Sequence, residues 1–341
     1  MKTLRGTTRN ERQTLARRCT AGELHRLHPN IYLPTATWEE LDPGQQRRAH
    51  HLGAVDGRTG MVLVGRSAAL AHGIDVVDVD SKRSTVDGIA PWPMPLDDDV
   101  IELAHPTRRK YQQRGIVHES KLGWSSDHVT TVDGRAVTSP GATVADITRR
   151  HGFDHGLVAG DSALRMGHSA VDLMRAADEA PNPAVALRTV ACADRFSGGA
   201  AESLMRAQII DAGLPAPEVQ LRVFTGDKIH IGDVDMGYRG FLFMIEVHGK
   251  GKFSGRYGDG EARSMHEWQR ESEMIAEGLT VLRVTYPQIV SGEALQRVIA
   301  GLDKQRVAVA AGATTTAHFL PMGQRWPEGF RTRRQAQNGW R

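Results

Sequence analysis

The residues best suited to chemistry lie in one stretch, Ile229-His-Ile-Gly-Asp-Val-Asp-Met-Gly-Tyr-Arg-Gly-Phe-Leu-Phe-Met-Ile-Glu-Val-His-Gly-Lys-Gly-Lys252. Phe241–Val247 is a continuous apolar run with a single acid, Glu246. Its aromatic and β-branched content predicts a strand buried on both faces. An unpaired carboxylate there would cost several kcal/mol, so Glu246 requires a partner. A metal ion is one such partner. Two carboxylates from neighbouring strands can hold Mg²⁺ against a phosphate, and Asp235 is the second acid of that pair. Glu246 and His248 share one strand face, because side chains alternate. Lys250 and Lys252 follow, and either could offset the charge of a phosphoryl transition state. A structural explanation competes, in which Arg270, Arg283 or the hairpin backbone satisfies Asp235 and Glu246.

Neighbouring elements must bring these groups together. Gly237-Tyr-Arg-Gly240 reads as a turn, so Ile229–Met236 and Phe241–Val247 form a hairpin. A turn centred on Tyr238–Arg239 sets Asp235 opposite Leu242 and leaves Glu246 about 13 Å along the strand. A bulge, or a turn centred nearer Gly240–Phe241, closes that gap. Ser197 is a candidate N-cap for a preceding helix with Ala201, Met205, Ile209 and Ala212 on its apolar face and Glu202 at the border. A second helix, Glu261–Glu277, follows the hairpin with Met265, Trp268, Ser272 and Ile275 on one stripe. Leu279–Tyr286 then reads as a strand. The order helix, hairpin, helix, strand predicts a small mixed sheet flanked by helices.

Glu202, Gly213-Leu-Pro, Val234-Asp235, Glu246 before His248-Gly249, Arg270 and Gly278-Leu-Thr-Val-Leu-Arg-Val-Thr285 fall in an order that resembles the very-short-patch-repair endonucleases of the PD-(D/E)XK superfamily. The resemblance spans about a hundred residues. It implies that Glu202, Asp235 and Glu246 occupy the family's acidic site positions. On that basis Asp235 and Glu246 would hold Mg²⁺, Glu202 would assist through metal-bound water, and His248, Lys250 or Lys252 would offset phosphate charge. His248 stands where the family usually carries Asp. Upstream, Ser67-Ala-Ala-Leu-Ala-His-Gly73, Val132-Asp-Gly-Arg-Ala-Val-Thr-Ser-Pro140, Thr143-Val-Ala-Asp146 and Asp161-Ser-Ala-Leu-Arg165 resemble antitoxins of the AbiEi type. That likeness implies a DNA-binding winged helix at the start, a cognate toxin as partner, and a role in toxin–antitoxin or phage-defence systems. The family usually has Arg where this chain has Ala142.

Composition sets the outer bounds. The chain has 341 residues, 40% of them hydrophobic, and a net charge of +3. Its length suits two or three domains with real cores. Cys19 and Cys192 match no metal spacing and make no disulfide framework. No apolar run reaches the roughly 18 residues of a membrane helix, and the basic start leads into Asn10-Glu-Arg-Gln without an apolar segment. A cytoplasmic protein without membrane contact is therefore expected. Arginines and lysines crowd residues 1–20, Arg108–Arg114 and Arg325–Arg341, where they could meet phosphate. Glu11–Arg18, a helix from Thr20 through Leu27 and an extended Ile31–Pro34 outline a winged helix-turn-helix. The expected fold class is α/β with α+β character. Residues 1–40 would bind DNA, 41–180 form a mixed α/β domain, 181–196 a connecting helix, 197–301 the endonuclease-like domain and 302–341 a basic tail, partly disordered from Gly312. Two functions remain open: Mg²⁺-dependent phosphodiester hydrolysis, or a non-catalytic antitoxin or regulator that uses the nuclease fold as a scaffold.

Overall fold

The computed structural model describes residues 1–77, 100–107, 111–248 and 260–338. It is mixed α/β and divides into two compact units, Met1–Ala193 and Asp194–Arg341. Among the described residues no helix is long and apolar enough to cross a membrane.

The first unit opens with β1 (Leu4–Arg5), α1 (Arg9–Thr20), β2 (Leu24–His28) and β3 (Ile31–Pro34), the strands pairing antiparallel in the order β1-β3-β2. Thr8 and Glu11 close a capping box at the head of α1, satisfying N–H groups that a helix start leaves open. The helix expected from Thr20 through Leu27 is instead a turn and a strand. Gly22, at φ +81°, stops α1, and Asn30, at φ +64°, turns β2 back into β3. Leu24, Leu27 and His28 are buried while Arg26 is exposed, a pattern that a bulge between Arg26 and His28 accommodates. Leu24 and Leu27 thus belong to a bulged strand, and the start of the chain is a helix followed by a hairpin. Leu27, Ile31 and Leu33 pack with Ala49, which ties this hairpin into the unit's interior.

Next come α2 (Thr35–Glu39), α3 (Pro43–Asp56), β4 (Val62–Leu63), α4 (Gly65–His72), β5 (Ile101–His105), β6 (Gln112–Arg114), β7 (Val117–Lys121), β8 (Val129–Val132) and β9 (Arg135–Thr138). They build a mixed sheet in the order β6-β7-β5-β4-β9-β8. Asp133 and Gly134 both have positive φ and form the two-residue turn between β8 and β9, as the Asp-Gly pair predicts. Ser139 caps α5 (Pro140–His151), with Pro140 in its first turn. Then follow α6 (Phe153–Arg165), α7 (Ala170–Asp178) and α8 (Pro183–Cys192). The sequence suggests the last of these as a connector. Ala186 and Val190 are buried against Val144, Ile147 and Leu173, so α8 belongs to the unit's core.

A carboxylate, Glu102, is buried in this unit. Its Oε2 accepts the Arg66 N–H at the head of α4 at 2.6 Å, and His151 Nε2 lies 3.2 Å from its Oε1. Arg150 stands 3.7 Å away and is itself held by Asp146. Burial alone would raise the Glu102 carboxyl, but His151, Arg150 and the Arg66 N–H outweigh it and hold the group well below the usual carboxylate range. Behind it, Ser67 Oγ accepts the Glu102 N–H at 2.7 Å and meets His51 Nδ1 at 2.8 Å.

The second unit contains α9 (Ala200–Asp211), β10 (Glu218–Phe224), β11 (His230–Tyr238), β12 (Phe243–His248), α10 (Gly260–Ala276), β13 (Thr280–Thr285), α11 (Tyr286–Ser291), α12 (Glu293–Ala310), β14 (His318–Pro321) and α13 (Arg333–Asn338). Its sheet runs β13-β12-β11-β10-β14, with β12 and β13 parallel and the other pairs antiparallel. The first five residues of β12 are fully buried, as its apolar run predicts. Two departures matter. The tail, expected to be partly disordered, supplies β14, which covers the outer edge of β10, and Trp326 and Phe330 pack edge-on against Phe224. An exposed strand edge is an aggregation hazard, and β14 replaces the seven-residue edge of β10 with a four-residue strand ending in Pro321. In α10, Trp268 is 64% exposed and Ile275 56% exposed, while Met274 is buried with Leu221, Val223, Val234 and Met244. Trp268 and Ile275, two members of the apolar stripe read from the sequence, therefore face solvent.

Candidate functional site

The site is organised by strand register. β11 and β12 pair as Met236↔Ile245, Gly237↔Met244 and Tyr238↔Phe243, so the hairpin centres on Gly240–Phe241. A short 3-10 turn over Arg239–Phe241 and a left-handed Leu242, at φ +54°, make this possible. One rung further, Asp235 stands opposite Glu246, on the same sheet face. The ladder between β11 and β12 ends just before this rung, and Asp235 Oδ2 accepts the N–H of Val247 at 2.6 Å. On the other side, β10 pairs Val219 with Met236 and Leu221 with Val234, which brings Gln220 beside Asp235. Gln220, Asp235 and Glu246 thus form a row across three strands.

Glu202 enters the row from α9. The N-cap of that helix is Gly199 and not Ser197, whose hydroxyl instead meets Ser203 at 2.8 Å. Glu202 Oε2 accepts the Gly198 N–H at 2.8 Å and the Gln220 amide at 3.0 Å, and the same amide nitrogen lies 3.4 Å from Asp235 Oδ1. Gln220 has φ +47°. A non-glycine residue in that region is strained, and such residues persist where surrounding contacts hold them.

Glu246, only 5% exposed, is met by Arg270 Nη2 of α10 at 2.5 Å. Arg270 crosses over Gly232, where an added Cβ would fall 2.4 Å from its Cδ, so the glycine makes room for it. Arg283, next to Glu246 in the β12–β13 register, pairs elsewhere, with Glu271 at 2.9 Å. Asp233 lies two residues before Asp235, and the His230 ring bonded to it holds its carboxyl below the usual carboxylate range.

The structure therefore brings together Glu202, Asp235 and Glu246. His248 ends β12 opposite Thr285, half-buried. Lys250 and Lys252 lie outside the described residues, as do Arg108, Arg109 and Lys110. Gln220 was missed by sequence reasoning, although the alternation of Val219, Leu221 and Val223 around it is a strand signal.

Asp235 and Glu246 have the hard oxygen donors that Mg²⁺ prefers. As arranged, they do not fit the ion. One oxygen of Asp235 takes a backbone N–H, its other lies beside the Gln220 amide, and Glu246 holds a guanidinium. Among the described residues no group of three or more His, Cys, Asp and Glu side chains is placed to hold a metal ion. The arrangement can fix a buried polar row and tie α10 to the sheet through the Arg270–Glu246 ion pair. Comparison with family models, with curated proteins and with solved structures finds no match.

Proposed function

We propose that this chain is a cytoplasmic DNA-binding protein of toxin–antitoxin or phage-defence type, with a second unit that keeps the layout of a PD-(D/E)XK endonuclease as a scaffold. The order α9-β10-β11-β12-α10-β13 and the acids on neighbouring strands support the nuclease-type reading. The observation that carries the choice of scaffold over hydrolysis is the ion pair between Arg270 and Glu246, which neutralises a carboxylate that metal-dependent cleavage would need free. The endonuclease reading keeps one observation in its favour, the rung that sets Asp235 opposite Glu246. A cognate toxin is the partner proposed on the antitoxin likeness.

The proposed DNA-reading surface is the outer face of α1. None of its residues is buried. Arg12 is engaged by the carbonyls of Gly6 and Thr7, and Arg18 by Glu23. Arg9, Gln13 and Arg17, spaced by four, lie exposed along the helix. Arginine and glutamine suit phosphate and base-edge recognition. Deleting residues 1–40 would strip Leu27, Ile31 and Leu33 from the interior, so point changes are the cleaner test. Arg9→Ala with Arg17→Ala should weaken binding to duplex DNA. The slope of log affinity against log salt should fall by about 2, since each phosphate that is no longer neutralised removes roughly 0.9. Unchanged affinity and slope would remove α1 as the reader and move attention to Arg325–Arg334.

A further inference from the structure

We infer that Arg270 and Gln220 take the place of a divalent cation among the acids of the second unit, so that the native site is complete without metal. The inference deepens the scaffold reading and rests on it. Three carboxylates, Glu202, Asp235 and Glu246, gather at one end of the β10–β11–β12 sheet. Such a cluster repels itself unless a positive or hydrogen-donating group enters it. A nuclease of this layout would recruit the ion from solvent. Here each requirement is met from within the chain. Arg270 supplies the full charge to Glu246 at 2.5 Å. The Gln220 amide bridges Glu202 and Asp235. Backbone N–H groups of Gly198 and Val247 complete the donor set.

Two features show that these donors are built in. The first is Gly232, whose missing side chain leaves the track along which Arg270 reaches the sheet. The second is the left-handed backbone of Gln220 inside an otherwise extended strand. The strain is local, and its evident return is the amide's position between two carboxylates. A guanidinium is planar, permanently charged and matched to carboxylate geometry, so it serves as a fixed cation at any physiological pH. Replacing Arg270 by a neutral residue should turn the row back into an acidic cluster that needs an ion.

Thermal melting of the full chain in chelator and in millimolar Mg²⁺, Mn²⁺ or Ca²⁺ tests this. Wild-type melting should be indifferent to the ions. Arg270→Ala should melt lower in chelator and recover with the ions, by about 3–6 °C for a tenfold excess over the dissociation constant. Arg270→Lys should stay indifferent, and Glu246→Gln added to Arg270→Ala should abolish the recovery. Wild-type protein stabilised by Mg²⁺ overturns the inference, as does folded Arg270→Ala that ignores all three ions. Should Arg270→Ala not fold, calorimetric titration of the wild type with Mn²⁺ decides, binding counting against the inference and its absence for it. None of these readouts involves DNA. Failure of the scaffold reading shows separately, as DNA cleavage by the wild type.

Discussion

Both units bury glutamates, and Glu102 in the first and Glu246 in the second are compensated in different ways. Glu102 is enclosed by its own neighbourhood: a helix-start N–H, a histidine, an arginine clamped by Asp146, and a serine behind its backbone. Glu246 takes its countercharge from Arg270, which is 29% exposed and arrives from a helix that also turns Trp268 to solvent. The first carboxylate is part of a closed core. The second sits at the end of a strand pair, in a row with two other acids, where the guanidinium decides its state. Buried charge by itself does not mark a site. What distinguishes the second unit is that its acids converge from three elements while their countercharge comes from a side chain that can be removed singly.

The largest effect should come from closing the gap around Glu102. Gly65 has φ +51°, and a Cβ there would lie 2.3 Å from Glu102 Oε2. Gly65→Ala should strain the backbone and displace the carboxylate from its donors, costing roughly 3–5 kcal/mol in urea melts. A cost under about 1 kcal/mol would show that Glu102 relaxes freely and that the two units are less different than described.

Acid should reach the first unit through its buried histidines. Burial pushes His51 and His155 down to about 3. Unfolded, such rings titrate near 6.5, so between about pH 6.5 and 3 the unfolded chain binds more protons and stability falls as pH falls. Each ring contributes at most about 1.4 kcal/mol per pH unit. Glu102, with its depressed carboxyl, adds loss in the same direction once pH drops below the ordinary carboxylate range. His155→Gln should flatten the melting-versus-pH slope between pH 6.5 and 4.5 by about 1 kcal/mol per unit. An unchanged slope would mean that the ring is hydrated and not part of a dry core.

A smaller loss is expected in the second unit. Glu246→Gln leaves Arg270 without its charge partner but partly in water, so the cost should be about 1–2 kcal/mol. Smallest of all, Arg9→Ala with Arg17→Ala should change stability by no more than about 0.5 kcal/mol, because those side chains lie on the surface. A larger loss would show that α1 is a structural helix and not a free reading face.

Much of this was legible in the residues. The apolar run Phe241–Val247 marked β12, and the Asp-Gly pair marked the β8–β9 turn. Asp235 and Glu246 were identifiable as a pair, and Glu202 joined them through the resemblance to the repair endonucleases. The register was not, because two turn centres were compatible with the glycines around Tyr238, and only the left-handed Leu242 selects one of them. The rotation of α10 was also hidden. Trp268 and Ile275 look like a core stripe, but Met274 and the long-range pairing of Arg270 with Glu246 set the helix the other way. Gln220 escaped notice because a strained backbone leaves no trace in composition. The likeness to antitoxins rested on residues that the first unit uses internally: Ser67 bonds the Glu102 N–H, His72 the Thr138 carbonyl, and Asp146 the flanking arginines.

The most direct measurement combines plasmid nicking with gel retardation on the same samples, in Mg²⁺ and in Mn²⁺, for wild type and Asp235→Asn. Retarded but uncut DNA for both proteins is the result expected of a DNA-binding protein whose acids are already compensated by Arg270. Nicking by the wild type that disappears in Asp235→Asn would contradict it and establish the row as a metal-dependent active site.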